Sequence, residues 1–157
     1  MNFKSEFKED LEDGQEGEKI IVMYLVCQGM KFLHLNNDYK YDIMMYSEKY
    51  DKEVSFEVKT DLFSKDTGNL AIEIRYKGKP SGISKTDSEW FVYWYRDLPF
   101  NNLWMIKVDD LKSLIKKFKF DVINGGDNNQ SQLVIIPRKK YKRFFRVDTI
   151  KTKKITE

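Results

Sequence analysis

Apolar and polar residues alternate most regularly at EVSFEVKTD, where Val54, Phe56 and Val58 interleave with Ser55, Glu57 and Lys59. A period of two marks a strand with two unlike faces. It sets Glu57 and Lys59 side by side opposite the apolar face, with Asp61 next in line. The preceding YKYDIMMYS and the polar EKYDKE complete a strand–turn–strand hairpin. NLAIEIRY predicts a third strand, with Leu70, Ile72 and Ile74 facing one way and Glu73 and Arg75 the other. WFVYWY and LWMIKV read as central strands joined through DLPFNN, KFLHL as a short strand and QLVIIP as the last strand. EGEKIIVMYLVCQG is a continuous apolar run whose length favours a helix, starting near Glu16 and Glu18 and capped by Gly29. VDDLKSLIKKFK predicts a second helix, with Leu111, Leu114, Ile115 and Phe118 on one face and Asp109 or Asp110 as its cap. KGKPSGISKTDS and INGGDNNQS predict loops, and RKKYKRFFRVDTIKTKK a basic end that follows a strand. This order predicts one α/β domain over residues 1–157, a mixed central sheet flanked by helices.

Composition narrows the chemistry. A single cysteine, Cys27, excludes an internal disulfide framework and a thiolate-rich zinc site, and its apolar neighbours predict a buried, inert thiol. The one histidine, His34 in KFLHL, is expected to be structural. The acidic N-terminus has no apolar signal core and no apolar run reaches about 20 residues, so a soluble, cytoplasmic protein with no membrane partner is expected. The net charge of +3 does not announce nucleic acid, but its distribution does more. Arg138, Lys139, Lys140, Lys142, Arg143 and Arg146 are interleaved with Tyr141, Phe144 and Phe145, in a basic segment running to about residue 154. Basic side chains among aromatics suit DNA phosphates and bases. Lys77, Lys79 and Lys85 around the Pro-Ser-Gly turn could hold phosphates too, or form a solvated loop.

An acid, any residue and a lysine is a weak pattern in so charged a chain, recurring at Glu6-Phe7-Lys8, Asp38-Tyr39-Lys40 and Asp110-Leu111-Lys112. Only Glu57-Val58-Lys59 lies on a clear strand. The hairpin brings Asp42, an acid in an otherwise apolar run, toward Glu57, and two neighbouring carboxylates need a cation between them. Oxygen ligands of this kind, with the Val58 carbonyl, suit Mg²⁺ or Mn²⁺. Lys59 on the same face would orient water or stabilise charge on a phosphate. The plainer alternative is a solvated face carrying a weak ion pair.

Glu18 in GEKIIVMYLVCQG, Asp42 in YDI, and Glu57 with Lys59 in FEVKTD together resemble the signature of the PD-(D/E)xK nuclease superfamily, which includes restriction enzymes and Holliday-junction resolvases. The later GNLAIEIRYKGKPSGISKTDSEWFVYW is similar to phage-encoded members, and the resemblance spans roughly residues 14 to 108. Tyr41 stands where the superfamily's name has proline, a position that commonly varies. The resemblance implies a restriction-endonuclease-like fold and a Mg²⁺-dependent DNA endonuclease, with junction or branched DNA as one candidate substrate and a phage or mobile-element origin. It implies that Asp42 and Glu57 bind the metal, that Lys59 assists the nucleophile and that Glu18 supports the metal directly or through water. It also allows a homodimer, as in resolvases. The rival expectations are a catalytically silent nucleic-acid-binding module of the same fold and an interaction protein whose acids are surface charges.

Overall fold

A computed structural model of the protein describes residues 3–36, 38, 40–61, 67–97 and 100–151. The chain is mixed α/β. Its alternating segments pair into two sheets, where the sequence predicts one. The first has six strands in the order β1-β2-β3-β6-β7-β10: β1 (Lys31–Leu35), β2 (Ile43–Ser47), β3 (Lys52–Asp61), β6 (Trp90–Asp97), β7 (Phe100–Lys107) and β10 (Arg146–Lys151). All neighbours are antiparallel except β3 and β6, which run parallel from Phe56↔Trp90 to Asp61↔Tyr95. A parallel pair needs a crossover, and here the crossover passes through the second sheet. That sheet, in the order β5-β4-β9-β8, is antiparallel: β4 (Asn69–Tyr76), β5 (Lys79–Pro80), β8 (Asp121–Gly125) and β9 (Ser131–Pro137). The chain turns from β4 into β5 through Lys77 and Gly78, both at positive φ, which suits a tight two-residue hairpin.

Each face of the six-stranded sheet has its own apolar cluster. Ile21 and Leu25 of helix α1 (Phe3–Cys27) pack with Ile43, Met45, Val54, Phe56, Val92, Trp94, Leu103 and Met105 on one face. On the other, Phe91, Tyr93, Tyr95, Trp104 and Ile106 meet Leu70, Ile72, Val134 and Ile136 of the second sheet, with Leu111 and Leu114 of helix α2 (Val108–Lys117). Burying each such side chain contributes about 1.5–3 kcal/mol. So a helix covers one face, and the other is shared by α2 and a sheet that local patterns do not announce.

Several expectations are corrected. α1 begins well before Glu16 and Glu18, which lie inside it and not at its start. Its end matches: Gly29 at φ +89° closes a motif in which Met30 N–H donates to the Leu25 carbonyl at 3.1 Å and Gly29 N–H to Val26 at 2.9 Å. Cys27 is exposed, because it lies on the outer face of α1 beside exposed Met23 and Val26. Lys107, not Asp109 or Asp110, is the N-cap of α2, and both acids sit in the first turn, where their charge interacts favourably with the helix dipole. The start of INGGDNNQS is strand β8, paired with β9 from Asp121↔Ile135 to Gly125↔Ser131, and β10 follows QLVIIP as the last strand. Arg138–Tyr141 is a helical turn, α3, continued by a 3₁₀ turn at Lys142–Phe144. Tyr141 and Phe145, four apart on that turn, are buried in the core. Residues 152–154 of the expected basic segment, and Leu98 and Pro99 of the expected connection, lie outside the described residues.

Candidate active site

The hairpin does bring Asp42 to Glu57's strand. Asp42 precedes β2, yet it continues the ladder: its N–H donates to the Phe56 carbonyl at 2.9 Å. Its side chain then takes over where β2 ends. Val58 N–H donates to Asp42 Oδ2 at 2.7 Å, in place of a strand partner. The N–H and C=O of one strand residue point to the same side, so the Val58 carbonyl is directed toward Asp42 as well. Glu57 and Lys59 share the opposite face of β3 from buried Val54 and Phe56. Glu57 is partly buried and Lys59 exposed. Among the described residues neither forms an ion pair with the other, nor does Asp42 with any cation. The plain reading of a surface ion pair is therefore not what the side chains form.

The electrostatics follow from this arrangement. Burial, with the nearby Asp42 charge and smaller contributions from Glu18 and Glu73, pushes the Glu57 carboxyl from 4.5 to about 7, against a Thr86 hydrogen bond that favours its ionised form. Burial raises Asp42 too, opposed by the Val58 N–H. Glu18 is raised by burial and then by Asp42. Glu18 reaches this region because of the residue before it. A Cβ at Gly17 would lie 2.1 Å from Thr60 Oγ1 and 3.0 Å from the Trp94 ring, so only glycine lets α1 cross β3 and β6 this closely.

Glu18 opens onto a cleft between the two sheets, of about 1070 Å³, beside the Asp42–Glu57 pair. Glu18, Val58, Lys59 and Asp61 line one wall, and Asn69, Glu73, Tyr76 and Ser131 the other. At one point the walls are tied together: the Ala71 N–H of β4 donates to the Tyr93 hydroxyl at 3.3 Å, which in turn donates to Asp61. A second recess of about 460 Å³ adjoins, sharing Glu73, Tyr76 and Ser81, and is lined by Glu57 together with Lys77, Lys79 and Lys85. The structure thus brings the Pro-Ser-Gly lysines to Glu57, although they are remote in sequence.

It does not bring the other basic residues into either recess. Lys139, Lys140, Lys142 and Arg143 are exposed on the helical turn. The Arg138 guanidinium stacks on Tyr95 with its carbon 4.3 Å from the ring centre, so packing holds it in place. Tyr141 and Phe145 serve the core and not a base-stacking surface, while Phe144 stays at the surface.

The sequence reading gave no role to the groups that hold the acids. Thr86 Oγ1 donates to Glu57 Oε2 at 2.8 Å and is itself buried. Glu73 accepts from the hydroxyls of Ser81 and Ser131. The signal available was a Thr-x-Ser pair and a lone Ser just ahead of apolar strands, too common to single out. Among the described residues, no three His, Cys, Asp or Glu side chains form a ready-made metal cage. No helix among them is long and apolar enough to cross a membrane. The chain matches no protein-family model, no curated protein and no solved structure.

Proposed function

We propose that the protein is a divalent-metal-dependent DNA endonuclease whose metal is held by Asp42 and Glu57 and whose Lys59 acts at the scissile phosphate. One observation carries the reading: two partly buried carboxylates, one just before β2 and one on β3, are both raised in proton affinity by burial, Glu57 further by the Asp42 charge, with no cationic partner among the described residues. Such a pair takes up either a proton or a cation. The donor set fits a hard cation, with two carboxylates and the Val58 carbonyl directed the same way, leaving room for water. Mg²⁺ or Mn²⁺ bound there would supply Lewis-acid stabilisation of charge on phosphorus-bound oxygens.

The chain's own residues do the rest. Lys59, exposed on the cleft wall, places an ammonium where a phosphate oxygen gains charge. Glu18 supports the metal from α1, directly or through water. Lys77, Lys79 and Lys85 hold flanking phosphates at the adjoining recess. The exposed Lys139, Lys140, Lys142 and Arg143 attract the polyanion from outside the cleft, which sets affinity and not sequence. The restriction-endonuclease-like fold and the PD-(D/E)xK membership belong to the same proposal, supported by Glu18, Asp42 and Glu57 lying close enough to feel one another's charge, and a phage origin rests on the sequence resemblance alone.

The test is a panel of branched, duplex and single-stranded DNA, with RNA, incubated in Mg²⁺, Mn²⁺ or EDTA. Cleavage of at least one DNA that EDTA and Asp42→Asn both abolish is the expected result. DNA binding without cleavage in any metal would instead identify a silent binding module.

A further inference from the structure

The segment from Lys79 to Glu89 leaves the second sheet and re-enters the first at β6, passing the carboxylate pair on its way. It is pinned at both ends. Ser81 donates to Glu73, and a Cβ on Gly82 (φ +51°) would lie 2.5 Å from the Glu73 carbonyl oxygen, so the turn lies flat on β4. At the other end Glu89 N–H donates to Ser55 Oγ at 3.0 Å, and its carboxylate pairs with Lys52 at 2.9 Å.

Between these anchors Thr86 and Ser88 are 4% and 5% exposed. Buried hydroxyls are kept for their hydrogen bonds, and a hydroxyl has one proton to give. Three acceptors stand within reach of Thr86 Oγ1: Glu57 Oε2 at 2.8 Å, Ser88 Oγ at 3.0 Å and the Lys40 carbonyl at 3.1 Å. Thr86 Oγ1 also accepts the Ser88 N–H at 3.2 Å, which occupies a lone pair and leaves its one proton to the shortest and strongest acceptor. The Lys40 carbonyl already accepts Asp87 N–H at 2.9 Å, and the carboxylate is the stronger acceptor. The Thr86 proton therefore goes to Glu57 Oε2, leaving Oε1 without a donor among the described residues. Asp87 N–H at 2.9 Å and the Ser88 hydroxyl at 3.5 Å donate to the carbonyl of Lys40, two positions before Asp42, so one short segment holds the backbone near one acid and the carboxylate of the other.

We propose that Thr86 is the positioning residue of this pair: it fixes the rotation of the Glu57 carboxylate so that one oxygen is reserved for a divalent cation, while Asp87 and Ser88 hold the Asp42 segment at the matching height. This rests on the metal-dependent reading of the site and adds to it a residue that touches neither metal nor phosphate. Outer hydrogen bonds to metal-binding carboxylates typically matter by 10–100-fold in affinity or activity.

The experiment is calorimetric titration of the full chain with MnCl₂ in the absence of DNA, on wild type, Thr86→Val, Thr86→Ser and Ser88→Ala. Thr86→Val keeps the shape and loses the donor. It is expected to weaken Mn²⁺ binding by about tenfold or more, with melting in EDTA close to wild type. Thr86→Ser is expected to restore binding to within about threefold, which a packing role alone would not do, because serine lacks the methyl group but keeps the donor. Ser88→Ala should shift affinity in the same direction by less, and serves in place of Thr86→Val if that variant does not fold. Wild-type affinity in Thr86→Val, or in Ser88→Ala where it substitutes, overturns the positioning role while leaving the metal site standing. Absence of Mn²⁺ binding by the wild type overturns both.

Discussion

Glu57 and Glu73 are partly buried glutamates on strands of different sheets, and both line the recess beneath Lys77, Lys79 and Lys85. Glu73 is provided for: a serine hydroxyl donates to each of its oxygens, Ser81 to one and Ser131 to the other. Glu57 has one hydroxyl, from Thr86, and the charges of Asp42, Glu18 and Glu73 around it. A carboxylate satisfied within the protein belongs to the architecture. One left with an open oxygen among other acids is held in an unfavourable state, and a site of that kind is where function is expected.

The contrast is broken most severely at the level of cleavage. Glu57→Gln and Asp42→Asn are expected to reduce metal-dependent DNA cleavage to the EDTA background, whereas Glu73→Gln, if its role is architectural, retains activity in proportion to its folded fraction. Single-turnover assays of the three variants on one DNA substrate check this; full activity in Asp42→Asn would sink the assignment. Lys59→Ala is expected next, lowering the rate by about two orders of magnitude with little change in DNA binding. An equal loss in both would reduce Lys59 to an anchor.

Stability should separate the two glutamates by sign. In the folded chain Glu57 titrates at about 7, against its ordinary 4.5. Between those values the folded state holds a proton that the unfolded state releases, so stability falls as pH rises. The favourable contribution is complete below the unfolded value and gone above about 7, on the order of 3 kcal/mol in all. Glu57→Gln removes that dependence: in EDTA at pH 8 it should melt above wild type, and the two should converge near pH 4.5. Glu73→Gln should go the other way, costing about 1–3 kcal/mol through weakened hydrogen bonds from Ser81 and Ser131. Urea titrations in EDTA at the two pH values measure both, and saturating Mn²⁺ should close the wild-type deficit.

The smallest effect belongs to the surface lysines. Lys139→Ala, Lys140→Ala and Lys142→Ala combined should make the slope of log affinity against log salt shallower by up to about 2.7 units on duplex DNA, with any base preference intact. An unchanged slope with lost solubility would assign these residues to solvation of the helical turn.

What could be read from the chain was whatever a short window contains. The β2–β3 hairpin, the face shared by Glu57 and Lys59 and the Gly29 cap follow from spacing alone, and the structure has each of them. Sheet membership is not a local property. NLAIEIRY alternates as VSFEVKTD does, yet pairs with Ile136 and its neighbours some 66 residues away and leaves the first sheet altogether. The helical turn at Arg138 is hidden by the basic residues that dominate the pattern, although Tyr141 and Phe145 stand one helical repeat apart. Cys27 shows the opposite failure, since a continuous apolar run hides which side of a helix faces water. Thr86 could not have been chosen from a loop of small polar residues, because only the fold shows that it meets Glu57.

The parallel pairing of β3 with β6 has a consequence for how the protein comes into being. Asp42 and Glu57 lie on a hairpin whose contacts span few residues and close quickly. Thr86 is delivered to them only by a segment leaving β4, and β4 has no long partner until Ser131–Pro137 has been synthesised. A chain emerging from the ribosome therefore exposes its paired acids well before the sheet that encloses them exists. Long-range pairing of this kind slows folding and lengthens the life of open strand edges. The nascent protein is thus obliged to remain without an ordered site until Ser131–Pro137 has been made.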